Sequence, residues 1–425
     1  MVGLSAGRRD AFGELSDELA EHLLGHVMPF WTSHALDAER GGIFTFIADD
    51  GTIRSRAKSI VSNTRALWTF SALAHRIEDR PSFRQAADGI YSFLSRCGRD
   101  EDGLWVYVVD EEGGVLVGEK SIVTDAFAID GLTEYFRLTG SPHALEIALE
   151  TARLARARLA RPGTYNTAPY PTPPGMRAHR EIMQFSLAFC ELGDAAGDTE
   201  LLHEGLALAR EVLTVFWKPE LGVLLEYVGP NGELADTPEG RTMVPGHAIE
   251  SLWFQMRNLA RYAPNEVGML REAARAVKPC LERGWDPEHG GILLGVDIAG
   301  TEPVYWPNAD MKRWWPETEA LPALLLAYEQ LGERWCLSWF DRVLEWAVSH
   351  FPDPAHGEWI QNLARDGTPL PPPEETPRGA KDPHTHGAPD EWRAYDLAVK
   401  DPFHLPRGLI VSIETLVRLA EQHHG

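Results

Sequence analysis

The stretch that decides the fold starts with a helical period over residues 200–216. It passes through Gly222-Val223-Leu224-Leu225-Glu226-Tyr227 and reaches Pro245-Gly246-His247-Ala248-Ile249-Glu250-Ser251-Leu252-Trp253, from which a second helical period runs on to residue 262. Helix, glycine-led apolar hairpin and helix form one unit, because apolar residues recur at i, i+3 and i+4 on either side of a short run bounded by turn residues. The same unit recurs along the whole chain. Helical periods over 12–31 and 58–75 flank Gly41-Gly42-Ile43-Phe44-Thr45-Phe46, and those over 82–97 and 121–139 flank Gly103-Leu104-Trp105-Val106-Tyr107. Further units pair 142–159 with 180–192, 266–284 with 316–331, and 336–350 with 406–422.

The hairpin glycines Gly41, Gly103, Gly163, Gly222, Gly290 and Gly357 fall 62, 60, 59, 68 and 67 residues apart. Twelve helices in six pairs at a period near sixty predict an all-α fold, a closed (α/α)6 barrel with short β-hairpins between pairs. A single domain over 1–425 is expected rather than two unrelated ones. In such a ring the second helix of each pair is the inner one, and these helices carry the unusual residues, so the motifs converge on one end of the barrel.

Composition narrows the function. The chain of 425 residues has 40 Lys+Arg against 63 Asp+Glu, a formal charge of −23, which repels nucleic acid and anionic membrane surfaces. No apolar run is long enough to span a bilayer, and the first ten residues lack an apolar signal core. Cys97, Cys190, Cys280 and Cys336 are scattered without a CxxC, which fits reduced thiols and a cytoplasmic protein. Fourteen Trp supply flat faces of the kind sugar rings pack on, although most Trp is core.

Two imidazoles sit at expected helix starts. Pro245 suits a first helical position, and His247 and Glu250 then share a face one turn up. His404 lies just before Pro406, with Arg407 one turn on. Helix starts hold unpaired N–H donors and positive potential, and histidine exchanges protons near neutral pH. Glu250 could fix the tautomer of His247 or contact a hydroxyl; as a metal pair the two lack a third ligand at recognisable spacing. Lys58 and Arg65 lie seven apart on one face of an otherwise apolar helix. Each must meet a carboxylate in a buried ion pair or line a polar cavity. Trp315 and Glu319, at i,i+4 beside Pro316, offer a stacking surface and a carboxylate. Residues 369–377, Pro-Leu-Pro-Pro-Pro-Glu-Glu-Thr-Pro, continue through His386 as a solvated loop, with a lid as the sharper alternative.

These residues resemble the N-acylglucosamine 2-epimerase family, which includes cellobiose 2-epimerases and mannose isomerases. The matching segments are KSIVSNTRALWTFS at 58–71, TDAFAIDGLTEYF at 124–136, PGHAIESLW at 245–253, KRWWPETEAL at 312–321 and FHLPR at 403–407. The resemblance implies the same barrel and a reaction that removes the C2 proton of a ring-opened aldose, forms an enediolate and reprotonates the opposite face. It implies that His247 and His404 transfer protons, Arg65 polarises the C1/C2 oxygens, and Glu250 and Glu319 bind hydroxyls and orient the histidines. Trp315 and Arg407 would shape the sugar site, and Asp125, Lys58 and Met183 are expected to contact the substrate as well. No metal and no redox cofactor is implied; a small-molecule sugar is the expected partner, and a homodimer is allowed.

One departure bears on the substrate. Cellobiose epimerases and mannose isomerases are similar in carrying another histidine on the third inner helix, where this chain has Ile182-Met183-Gln184, with His179 one turn earlier. The substrate stays open among N-acetylglucosamine/N-acetylmannosamine, glucose/mannose and reducing disaccharides. An aldose–ketose isomerase could use the same two imidazoles. A glycoside hydrolase on this barrel would need two carboxylates, such as Asp125 with Glu250 or Glu319. A non-catalytic binding module is the remaining rival.

Overall fold

The computed structural model describes residues 3, 4, 11–370 and 400–424. The loop or lid expected over 369–386 lies outside them beyond Leu370. Among the described residues α1 (Ala11–His22) runs through a π-helical turn, Leu23–Val27, into α2 (Met28–His34), and the two form one rod. Eleven more helices follow: α3 (Ile60–Ala72), α4 (Pro81–Cys97), α5 (Val123–Thr139), α6 (Pro142–Leu159), α7 (His179–Ala196), α8 (Thr199–Glu211), α9 (Pro245–Tyr262), α10 (Val267–Gly284), α11 (Trp314–Leu331), α12 (Arg334–His350) and α13 (His404–His424). Twelve rods therefore stand where twelve were expected.

Sequence chemistry sorts them into two layers. In α11 every residue from 315 to 327 is buried, and a helix buried on all sides must lie inside. In α10 the buried positions Leu270, Ala273, Ala274, Val277 and Leu281 form one stripe, so that helix lies outside with its other face in water. The odd-numbered helices from α3 to α13 pack on one another in chain order, and α13 returns to α3, which closes an inner ring. This is an (α/α)6 barrel. Each inner helix packs chiefly on the outer helix that follows it, α3 on α4, α5 on α6 and so on, while α1 closes the circle on α13. The packing pairs are thus offset by one helix from the repeat read in the sequence, because the short connections join inner to outer helices and the hairpins lie on the long connections.

The strands also pair differently from simple hairpins. The two residues ahead of an inner helix pair with the next unit: Lys58–Ser59 with Val108–Val109, Arg177–Ala178 with Tyr227–Val228, Thr242–Met243 with Val296–Asp297, and Lys312–Arg313 with Asn362–Leu363. A bridge between Ser121 and Thr167 and a bond from Lys400 N–H to Thr45 O complete the circle. Six links belt the end of the barrel at which the inner helices begin. All six repeat glycines hold left-handed backbone, with φ from 64° at Gly222 to 81° at Gly41 and Gly103. Only glycine adopts this without cost, which is why the period shows in glycine.

Lys58 was expected at a sugar site, but it is fully buried inside this belt. Its Nζ meets Asp37 Oδ2 at 2.7 Å and Gly41 O at 2.8 Å, between the Phe44 and Phe93 rings. The fifth unit builds the same lock: Lys312 Nζ meets Asp286 Oδ2 at 3.1 Å and Gly290 O, and it too is fully buried. A feature repeated in a unit without the histidines belongs to the scaffold. Breaking a buried pair leaves an uncompensated charge, so Lys58→Met should lower unfolding stability by about 3–5 kcal/mol in urea titrations. Lys312→Met should cost a similar amount, and a wild-type midpoint in either variant would contradict the lock.

Candidate active site

The six inner helices begin at the belted end, so their N-terminal turns face one another. Those of α7, α9 and α11 carry no side-chain cap. Their placement comes from the belt instead, as where His179 N–H donates to Glu226 O at 2.9 Å and Trp314 N–H to Gln361 O at 3.3 Å. This arrangement sets the direction of every side chain discussed below.

His247 is the third residue of α9, behind Pro245, as expected. Its ring is mostly buried, and Nδ1 lies 3.0 Å from Glu226 Oε2. Glu226 is wholly buried in the hairpin that opens the α9 unit. Burial opposes its charge, but His247, His179 and Arg180 around it outweigh that cost and hold its carboxyl well below the usual range. An ionised Glu226 accepts from Nδ1–H and leaves Nε2 of His247 with the lone pair. Glu250 does not fix this tautomer, contrary to the sequence expectation.

His404 is the first residue of α13, so the helix begins two residues before Pro406 rather than at it. Its Nδ1 lies 2.8 Å from Glu319 Oε1, which again leaves Nε2 as the outward nitrogen. Burial, reinforced by the cations Arg65 and Arg407, pulls His404 down to about 3 against the opposing carboxylates, so it is neutral at pH 7. Glu319 is fully buried and also accepts from Trp253 Nε1 at 2.8 Å and from Arg407 Nη2 at 2.6 Å. The same Nη2 donates to Glu250. Burial pushes Glu319 upward while Arg407 pulls it back.

Trp315 lies between the two imidazoles, its ring 5.2 Å from that of His247 and 5.5 Å from that of His404. Gly246 makes room for it: a Cβ there would come within 2.3 Å of the Trp315 ring. Two imidazoles, each held through Nδ1 with Nε2 left over, thus flank one aromatic wall. Arg65 is partly exposed, with Nη1 3.2 Å from Asp401 Oδ2 and its guanidinium over the Phe127 ring at 4.1 Å. Ser62 Oγ donates to the same Asp401 oxygen at 2.9 Å.

Glu250, Glu319 and His404 offer ligand atoms within 4.8 Å of one another, a cluster without His247 and so not the pair considered from the sequence. Both carboxylates already share the Arg407 guanidinium, 3.5 Å from His404 Nδ1, and that cation stands where a metal would. Two further expected contacts are corrected. Asp125 meets Arg158 Nη1 of α6 at 2.7 Å and is not one of the carboxylates gathered at His404, and burial raises it to about 7. Met183 lies in the apolar core. His179, by contrast, brings Nδ1 to 4.0 Å from Glu226 Oε2. Sequence reasoning missed Glu226 and Asp401; the signal for Glu226 was a lone acid in the apolar run Val223-Leu224-Leu225-Glu226-Tyr227.

A model of the N-acylglucosamine 2-epimerase (GlcNAc 2-epimerase) family matches residues 42–388. The chain is 30% identical to N-acylglucosamine 2-epimerase of Bos taurus over 357 residues, covering 81% of this chain and 82% of that one. It is 24% identical to cellobiose 2-epimerase of Bacteroides fragilis, covering 83% and 92%. The solved structure of a cellobiose 2-epimerase from Spirochaeta thermophila superposes with a TM-score of 0.75 at 21% identity, covering 96% and 98%, which supports the fold.

The depressed His404 makes the protein acid-sensitive. The unfolded chain takes a proton at His404 below about 6.5 while the folded chain resists until about 3, so stability is complete above 6.5 and is lost as pH falls through this window. Between pH 7 and pH 5 the loss from this one group is about 2 kcal/mol. Urea midpoints at the two pH values should show a correspondingly smaller drop in His404→Asn than in the wild type.

Proposed function

The chain belongs to the N-acylglucosamine 2-epimerase family, and on that premise we propose that it is a sugar 2-epimerase, an isomerase that interconverts the C2 epimers of a reducing aldose through His247 and His404. The observation that carries this reading is the matched pair of imidazoles. Each is tied through Nδ1 to a buried carboxylate, Glu226 or Glu319, and the Trp315 ring lies between them.

Inversion at C2 needs a base on one face of the carbon and an acid on the other. In the ring-opened sugar, one Nε2 takes the C2 proton and the electron pair moves into the C1 carbonyl, giving a C1–C2 enolate. It is an enediolate where C2 carries a hydroxyl and a 2-acetamido enolate where it carries N-acetyl. The second imidazole, as imidazolium, returns a proton to the opposite face, and the carbonyl re-forms. His404 is neutral at pH 7, so its Nε2 lone pair is available and it is assigned the role of base. Glu226 keeps its negative charge against Nδ1 of His247, which fixes that ring with Nε2 toward the site. Arg65, the partly exposed cation, is assigned to the oxygens on which charge develops. Arg407, Glu250 and Glu319 act from beneath by fixing His404, and the Trp315 face packs against the sugar.

For the substrate we propose N-acetylglucosamine and N-acetylmannosamine first. The support is the 30% identity to an N-acylglucosamine epimerase against 24% to a cellobiose epimerase. The working unit is read as one domain. No helix among the described residues is long and apolar enough to cross a membrane. A cytoplasmic setting is proposed from the four cysteines, all free.

Replacing either imidazole tests the reading. His247→Asn and His404→Asn should each lower epimerisation on the order of 10²–10⁴-fold, the usual worth of a positioned proton-transfer group. Glu226→Gln should lower kcat with little change in KM, because Gln offers Nδ1 no charge. Full activity in either histidine variant would remove the basis of the assignment.

A further inference from the structure

Beneath the two imidazoles, toward the C-terminal ends of the inner helices, lies a small cavity walled by aromatic and charged side chains. Asp130, Trp253, Arg257, Phe403 and the underside of Arg407 are among its walls. The outer charges there satisfy one another: Arg76 Nε meets Glu134 at 2.8 Å, and Arg137 and Arg257 both meet Glu191. Among the groups left without a hydrogen-bond partner there, beside Thr133 Oγ1 and Glu191 Oε1, are Arg407 and Asp130. Arg407 is 2% exposed and spends only Nη2 on Glu250 and Glu319; its Nε and Nη1 are buried without partners. Asp130 is 6% exposed, and its Oδ1 is likewise buried without a partner.

Buried donors of a guanidinium and a buried carboxyl oxygen need partners, and a cavity between them provides the place. The room open to a water centre is about 20 Å³, where one water needs roughly 10–15 Å³. We infer that a bound water bridges Arg407 Nε/Nη1 to Asp130 Oδ1, and that Asp130 is thereby a positioning residue for His404. Arg407 donates to the water and the water donates to Asp130. The chain of contacts then runs from Asp130 through water, Arg407 and Glu319 to the imidazole. Burial, reinforced by the charge of Glu191, raises Asp130 to about 8, so at neutral pH it is a neutral carboxyl that an amide can imitate.

The catalytic half of this inference rests on His404 acting as proposed above; the water itself does not. Asp130→Leu keeps the size and removes both oxygens, whereas Asp130→Asn keeps an acceptor. A misplaced Arg407 should cost Asp130→Leu about tenfold or more in kcat with KM within about twofold, and Asp130→Asn should stay near wild type. Wild-type kcat in Asp130→Leu, or an equal loss in Asp130→Asn, overturns the positioning role. If Asp130→Leu does not fold, a high-resolution crystal structure of the wild type grown with bromide decides. A water within hydrogen-bonding distance of Arg407 and Asp130 supports the inference, and a bromide peak or an empty cavity there overturns it. Retained activity in His404→Asn would sink the proton-transfer reading while leaving the water to be judged by the crystal alone.

Discussion

One fully buried carboxylate, Glu319, holds the working end of the barrel together. It accepts from Trp253 of α9 and from both His404 and Arg407 of α13, so three inner helices meet on two oxygen atoms. A carboxylate taken out of water is tolerable only when each lone pair is used and a cation stands close, and Arg407 meets that need. Glu226 repeats the device on the other side of Trp315, with Arg180, His179 and His247 as its company. The imidazoles are therefore fixed in orientation by charges that have nowhere else to go.

The division of labour between repeats follows from the same cost. Units one and five use a buried Lys–Asp pair to close the belt, and in the third and fourth the equivalent region carries Glu226 and its partners. A barrel of six similar units can thus spend some of its buried charges on closure and others on a site. At the far end, the Arg76, Arg137, Arg257, Glu134 and Glu191 cluster ties inner helices to one another away from the chemistry. Aromatic rings over Arg407, from Trp253, Phe254 and Phe403, keep bulk water from relaxing these charges.

Much of this was legible in the sequence because it is local. The left-handed backbone of six hairpins demands glycine, so the repeat was visible as glycine spacing, and the proline at the start of α9 marked where that helix begins. His247, His404, Arg65 and Trp315 stood out as polar or bulky groups at the starts of apolar helices, and the fold brings them to one end. What stayed hidden depends on partners far away in the chain. Whether Lys58 faces a sugar or Asp37 is decided by tertiary placement, as is whether Asp125 meets a sugar or Arg158. Glu226 could have been suspected as an acid in an apolar strand, but nothing local says that it, rather than Glu250, reaches His247. The offset of the packing pairs by one helix is likewise invisible to periodicity, which counts helices without saying which neighbours touch.

The central claim is that a proton leaves and returns at C2. Proton NMR in D₂O tests it most directly, with the wild-type protein incubated with N-acetylglucosamine and, separately, with glucose and cellobiose. The account predicts loss of the C2 proton signal together with new anomeric signals of the 2-epimer, carrying deuterium at C2. Epimer formed with its C2 proton fully retained, or every sugar left unlabelled and unchanged, would contradict it.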